Sequence, residues 1–195
     1  MTAQADSLTT LRLALDAGQA VLLNTDTLPG LHARIDRPQG LAAVQQLKGR
    51  DASKPLLVLA ASVEAAGVLM APLAAWQEAY LSACWPGPFT LIVTAAAEGL
   101  AGAIRASGGT VAVRVPDRSP LLALLAETGP LASTSANRAG HQPASTLDQA
   151  RSRFPDLLSW DDGGGDSSGS ASALVDLTGE GPRVLRPGPL TAPTV

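Results

Sequence analysis

Gly129-Pro130-Leu131-Ala132-Ser133-Thr134-Ser135-Ala136-Asn137-Arg138-Ala139-Gly140 changes character partway along. An apolar lead-in, Pro130-Leu131-Ala132, runs straight into Ser133, Thr134, Ser135 and Asn137, whose polar atoms sit on short stems close to the backbone. The pattern predicts a short buried strand that opens into a polar loop, Ser133–Gly140, at its carboxyl end. Open α/β sheets bind ligands at such ends. Taken alone, the stretch reads equally well as a Ser/Asn-rich turn without a ligand, so its neighbours decide.

Working outward, short apolar runs alternate with helical spacings. Leu8, Leu11 and Leu15 predict a helix closed by Gly18, and Ala20–Leu23 predicts a buried strand ending in the polar run Asn24-Thr25-Asp26-Thr27-Leu28-Pro29-Gly30. Asp36 with Pro38 reads as an N-cap and first turn of a helix to about Leu47. A strand over Pro55–Ala60 follows, then helices over Val63 to about Met70, with Ser62 as cap, and over Leu73–Ala83. Trp85-Pro86-Gly87-Pro88 breaks the pattern before a strand at Phe89–Thr94. Gly99–Gly109 reads as loop, Thr110–Pro116 as strand, and Ser119-Pro120 as an N-cap with proline in the first turn of a Leu-rich helix to Glu127. Thr146-Leu147-Asp148-Gln149 has the form of a capping box for a helix to about Phe154. Strands are expected at Leu157–Trp160, Ala173–Leu177 and Arg183–Leu185, with a mobile Gly/Ser/Asp-rich segment, Asp161–Ser172, among them. The expectation is one α/β domain with a twisted, open, mixed sheet, residues 1–195 with a core at about 8–190.

Composition narrows the function classes. With 195 residues, 46% of them apolar, the chain can bury a sizeable core. It has no apolar run of about eighteen residues to span a membrane. Met1-Thr2-Ala3-Gln4-Ala5-Asp6 lacks the basic and apolar regions of a secretory signal, so the expected location is the cytoplasm. A net charge of −3 gives no general attraction to nucleic acid, and three Trp, one Tyr and two Phe make a base-stacking platform a poor reading. The one cysteine, Cys84, excludes an internal disulfide and reads as core. His32 and His141 have no metal-spacing partner and read as surface or loop positions. Neither a phosphate-binding G-x-x-x-x-G-K-[ST] nor a G-x-S-x-G elbow occurs. What stands out is polar loops after strands together with dispersed cations: Lys48, Arg50, Lys54, Arg114 and Arg186. The chain's two lysines flank Arg50, and a compact ammonium suits a phosphate differently from a planar guanidinium.

Taken in order, these segments resemble a known family. Thr25-Asp26-Thr27-Leu28-Pro29-Gly30-Leu31 is similar to its P-T-x-T-x-Y-G-L, and Lys48-Gly49-Arg50 with Lys54-Pro55-Leu56 to its K-x-R…K-P-L. Trp85-Pro86-Gly87-Pro88-Phe89-Thr90 matches W-P-G-P-x-T, Val113-Arg114-Val115-Pro116 matches V-R-x-P, and Ser133-Thr134-Ser135-Ala136-Asn137 matches S-T-S-A-N. Val175-Asp176-Leu177 and Leu185-Arg186-Pro187-Gly188 are similar to its tail. The family is YrdC/Sua5, the L-threonylcarbamoyladenylate synthases, and the resemblance runs from about residue 8 to 190.

The resemblance implies a twisted α/β sheet around a large, concave, basic cavity. It implies synthesis of threonylcarbamoyl-AMP and pyrophosphate from L-threonine, bicarbonate and ATP, feeding threonylcarbamoyladenosine in tRNA through a downstream transferase, with tRNA itself a further candidate partner. It assigns Lys48, Arg50, Ser135, Asn137 and Arg186 to ATP. Thr25, Thr27, Arg114, Ser133 and Ser172 go to threonine or its carbamate, with Lys54 supporting the same anionic floor. No protein metal ligands are implied; Mg2+ comes with ATP. The substrates supply the nucleophile, so no catalytic side chain is singled out. The chain departs from the pattern at Asn24, where the family has proline, at Pro29, where it has an aromatic, and at Leu59, where many members have histidine. The rival readings are an RNA-binding module of the same fold and a paralogue adenylating another carbamate.

Overall fold

The computed structural model describes residues 8–49, 55–96, 102–106, 108–165 and 167–193. Its elements in chain order are α1 (Leu8–Asp16), β1 (Val21–Leu23), β2 (Gly30–Arg34), α2 (Pro38–Lys48), β3 (Leu57–Leu59), α3 (Val63–Gly67) and α4 (Ala75–Cys84). Then come β4 (Phe89–Thr94), β5 (Thr110–Arg114), α5 (Ser119–Thr128), β6 (Leu131–Ser135), α6 (Leu147–Arg153), β7 (Leu158–Trp160), β8 (Ala173–Asp176) and β9 (Arg183–Arg186). The strands form one nine-stranded sheet in the order β7-β1-β2-β6-β3-β5-β4-β8-β9. Pairs β1/β7, β3/β5 and β4/β8 are parallel and the remaining five antiparallel, so the sheet is mixed, as the sequence implied. Among the described residues, no helix is long and apolar enough to cross a membrane.

Because successive strand residues face opposite sides, the two faces can be read from the register. One face is mainly apolar: Leu31, Ala33, Val58, Ala132, Val113, Leu91 and Val175 pack with Leu41 and Val44 of α2, Tyr80 and Leu81 of α4, and Leu147 and Ala150 of α6. On the other face α1 and α5 cover only part of the sheet, where Leu11, Leu15, Leu121, Leu124 and Leu125 pack on Val21, Leu23, Leu59 and Leu131. Strand β6 leaves that cover as it runs. Its Leu131 packs under the helices, whereas Ser133 and Ser135, on the same face two and four residues on, line a cavity.

Local chemistry fixes the helix ends. Ser62 Oγ accepts from the Ala65 N–H at 3.1 Å, as expected. Thr146 Oγ1 likewise accepts from the Gln149 N–H at 3.3 Å, but the Gln149 carboxamide turns back to the Ser145 N–H at 3.1 Å, one residue before the expected box. Gly49 closes α2 in the left-handed conformation, φ 59°, which glycine adopts freely.

Several expectations are corrected. Asp36 and Ser119 are not N-caps: Arg37 and Arg118 occupy those positions, Pro38 and Pro120 set the first turns, and Asp36 chelates the Arg34 guanidinium at 2.9 and 2.8 Å. Strand β2 was not foreseen, and Ser133–Ser135 belong to strand β6 rather than to the loop. His32, expected at the surface, is fully buried on β2. The segment expected to be mobile, Asp161–Ser172, is tied to the rest of the chain through Asp162, Gly165, Ser167, Ser168 and Gly169, with Asp166 outside the described residues. Cys84 is buried, as expected, and burial pushes its thiol up to about 12.

The half-covered face yields a prediction. Leu124→Ala should destabilise the fold by about 2–5 kcal/mol in urea unfolding, because it empties the centre of the α1/α5 cluster. Leu13→Ala, at a position 60% exposed on α1, should stay within about 0.5 kcal/mol. Equal losses would mean that α1 and α5 do not pack as described.

Candidate functional site

The uncovered half of the second face floors a cavity of about 410 Å³. Leu57, Ile92, Ala112 and Leu174 give it an apolar base, and Thr25, Thr27, Lys48, Thr90, Arg114, Ser133, Ser135, Ser172 and Arg186 supply its polar groups.

At one side, the chain leaving β1 folds into a turn around a hydroxyl. Thr25 Oγ1 accepts from the N–H groups of Thr27 and Leu28, each at 3.1 Å, and donates to the Leu28 carbonyl at 2.8 Å. With that proton committed, Thr27 donates to Thr25 across 2.9 Å and is left to accept from Arg114 Nη1 at 2.6 Å. Arg114 is 3% exposed, and its Nε donates to the Gly87 carbonyl at 3.0 Å while Nη2 pairs with Asp26. Burial holds the guanidinium below its ordinary value, Asp26 opposes this, and the Arg186 charge adds to the lowering. Next to it, the hydroxyls of Thr90 and Ser172 meet at 2.8 Å, and Arg186 grips the Ser172 carbonyl through Nε at 3.1 Å and Nη2 at 2.9 Å.

At the other side, Lys48 reaches from the last turn of α2 to the end of β6. Its ammonium donates to the Ser135 carbonyl at 2.8 Å, Ser135 Oγ at 3.0 Å and Asn137 Oδ1 at 2.5 Å. Ser135 Oγ also donates to Asn137 Oδ1 at 2.7 Å, and the Asn137 amide donates to the carbonyls of Arg138 and His141 at 3.0 and 2.6 Å. The loop is held from both flanks: the Lys48 carbonyl accepts from Ala139 N–H at 2.7 Å and the Pro29 carbonyl from Ala136 N–H at 2.9 Å.

Of the residues singled out in the sequence, Thr25, Thr27, Lys48, Arg114, Ser133, Ser135, Ser172 and Arg186 therefore line one cavity. Asn137 is joined to them through Lys48 and Ser135, but it borders a separate cavity of about 360 Å³ with Arg138, His141 and Arg153. Arg186, grouped with Lys48 by the resemblance, sits beside Ser172 instead. Arg50 and Lys54 lie outside the described residues. Leu59 lines the cavity and also packs under α1 and α5. Asp26, paired with Arg114, and Thr90, bonded to Ser172, join the site from within Thr25–Leu31 and Trp85–Thr90 without any local sequence signal for either role. Among the described residues, no three His, Cys, Asp or Glu side chains gather as a metal site.

A mixed α/β sheet with a polar cavity on its half-covered face defines the class. The chain belongs to the Sua5/YciO/YrdC family, whose model, described as "Telomere recombination", matches residues 13–188. It is 35% identical over 176 residues to the threonylcarbamoyl-AMP synthase of Chromobacterium violaceum, covering 90% of each protein. The structure of Pyrococcus abyssi Sua5 complexed with L-threonine superposes with a TM-score of 0.84 at 30% identity, over 95% of this chain and 56% of that one. E. coli YciO, at 18% identity, shares the fold with a TM-score of 0.83 over 96% of this chain and 94% of its own.

Below the cavity, His32 stands opposite Ser133 in the β2/β6 register, and neither of its ring nitrogens has a hydrogen-bond partner. Burial drives its pKa from 6.5 down to about 3, with the Gly30 backbone pulling the other way and Arg114 pushing further down. The folded pKa lies below the unfolded one, so between these values the unfolded chain binds a proton that the folded chain refuses. Stability should therefore fall as pH drops below about 6.5, by up to about 1.4 kcal/mol per pH unit. Above that pH this residue adds no slope. His32→Phe should flatten the urea-derived stability difference between pH 7 and 5 relative to the parent chain and cost little at pH 7, since no hydrogen bond is lost. An unchanged slope would mean that the imidazole meets solvent.

Proposed function

We propose that this chain makes L-threonylcarbamoyl-AMP and pyrophosphate from L-threonine, bicarbonate and ATP, supplying the threonylcarbamoyl group for tRNA. The observation that carries this reading is the pairing, in one cavity, of a Lys48–Ser135 side with an Arg114–Thr27–Ser172 side. Family membership and the named relatives support it. Residues 1–195, with a core at about 8–190, act in it as one domain, in the cytoplasm, with a downstream transferase taking the product.

The chemistry asks for positioning more than for a protein nucleophile. The threonine amine adds to the bicarbonate carbon and water leaves, giving a carbamate. A carbamate oxygen then bonds to the α-phosphorus of ATP as the bond from that phosphorus to the bridging oxygen breaks and pyrophosphate departs. Reacting anions repel one another, so fixed cations and a site shielded from water lower the barrier. In this reading Arg114 faces the amino-acid carboxylate or carbamate, with Thr25, Thr27, Ser133 and Ser172 setting its orientation. Lys48, Arg50, Ser135, Asn137 and Arg186 bind ATP, and Lys54 supports the anionic floor on the amino-acid side. Mg2+ would arrive with ATP and supply countercharge to its phosphates. The cavity's hydroxyl, ammonium and guanidinium groups suit an anion rather than a cation, so no step is assigned to protein-bound metal.

Incubation with ATP, bicarbonate and threonine should yield the adenylate by mass, and absence of product would overturn the proposal. Lys48→Ala should weaken ATP binding by about 1.5–3 kcal/mol in calorimetry, and unchanged affinity would remove Lys48 from the site. Among amino acids, kcat/KM should fall from threonine to serine by roughly 10–200-fold for the lost methyl group. It should fall further for valine, which leaves a buried hydroxyl partner unpaired. Valine at or above threonine would favour a paralogue acting on another carbamate, a reading to which the apolar Leu59 wall lends support.

A further inference from the structure

The Gly/Ser/Asp-rich segment ahead of β8 is fastened at two places. At its start, Asp162 meets Arg118, the residue that opens α5. Arg118 Nε donates to Asp162 Oδ2 at 2.6 Å, Nη2 pairs with Oδ1, and the same Nη2 donates to the Gly165 carbonyl at 2.9 Å. Both side chains are buried, at 6% and 3% exposure, so neither charge is solvated by water in place of its partner. Further along, the segment grips the Thr25–Thr27 turn through its backbone. Ser168 N–H donates to the Asp26 carbonyl and Gly169 N–H to the Thr27 carbonyl, each at 3.0 Å, and Ser167 Oγ donates to the Thr25 carbonyl at 2.7 Å. Two residues on, Ala171 and Ser172 form cavity wall. The glycines are needed for this path. Gly163, Gly165 and Gly169 have φ of 69°, 74° and 75°. A Cβ on Gly164 would stand 2.9 Å from Arg118 Nη2 and 3.1 Å from Cζ.

We infer that Arg118 and Asp162 are positioning residues for the amino-acid side of the cavity. They touch none of the reacting groups. By fixing where the segment starts, they set the height at which Ser167, Ser168 and Gly169 meet the turn that presents Thr27 to Arg114, and the point at which Ser172 enters the wall. Asn24 adds a chain-specific tie, its amide donating to the Gly165 carbonyl at 3.4 Å, a contact that the family's proline at this position has no side-chain donor to make. The hydrogen bonds that join Lys48, Ser135 and Asn137 to one another on α2 and β6 involve none of these residues. The inference rests on the proposed synthase activity, and its test separates the two.

Gly164→Ala keeps both charges and crowds the guanidinium, Asp162→Asn keeps the acceptor shape without the charge, and Arg118→Lys keeps the charge without the planar fork. Hydrogen exchange at the Ser168 and Gly169 amides, melting temperature, and KM for threonine and for ATP are measured for each. Exchange should speed up and the threonine KM should rise by at least about tenfold in Gly164→Ala and Asp162→Asn. The ATP KM should stay within about twofold, and Arg118→Lys should fall between these variants and the parent. Threonine and ATP KM values rising together, or exchange that does not change, would overturn the inference. If the parent chain makes no adenylate, the functional proposal falls, and the exchange measurement alone still decides whether the pair positions the turn.

Discussion

The arrangement around the cavity depends on how one buried guanidinium is satisfied. Arg114 ends β5 at 3% exposure, where an unpaired charge would be costly. Its donors go to two separate pieces of chain: the Gly87 carbonyl after α4, and the turn after β1 that supplies both the Thr27 hydroxyl and Asp26. Each partner has to be held in turn. Gly87 N–H donates to the Val115 carbonyl at 2.9 Å, closing the Trp85–Pro88 corner onto the end of β5, and the Thr25 hydroxyl closes the turn that carries Asp26 and Thr27. A single charge thus links segments that sequence distance keeps far apart.

The second determinant is incomplete cover. The helices α1 and α5 are short, with nine and ten residues, and the sheet residues they cover come from β7, β1, β6 and β3. The far side of the same face carries Thr90, Arg114 and Leu174 on alternate positions of β4, β5 and β8. The opposite face has no such gap, because α2, α3, α4 and α6 contribute to one continuous cluster. The place of the cavity is therefore a packing outcome, and its chemistry follows from which residues the register leaves uncovered.

Much of this was legible in the sequence because local signals agreed with tertiary packing. Leu-rich helical spacings, proline-started helices and the Trp85–Pro88 break all found their places. Strand β2 escaped notice because only Leu31 and Ala33 of its five residues are apolar, while His32 is buried with no partner to give it away. The segment before β8 was misread because composition cannot reveal partners: Asp162 meets Arg118 from 44 residues away and Ser167 meets Thr25 from 142. Within the cavity, small hydroxyl residues after strands were recognisable, whereas Asp26 and Thr90 were not, since their roles arise from what Arg114 and Ser172 require.

Strand β9 ends the sheet with all four residues exposed, Val184 at 51% and Leu185 at 48%. An open edge of this kind offers unpaired backbone groups to any passing strand. Here Arg183 and Arg186 bracket the two apolar residues and Pro187 follows directly, so the ladder is short, charged at both ends and unable to extend. Arg186 therefore has two duties, one toward the cavity and one toward the solubility of the chain at high concentration. Replacing it with an apolar residue would strip the charge from the cavity wall and leave Val184-Leu185 as a sticky margin, prone to self-association.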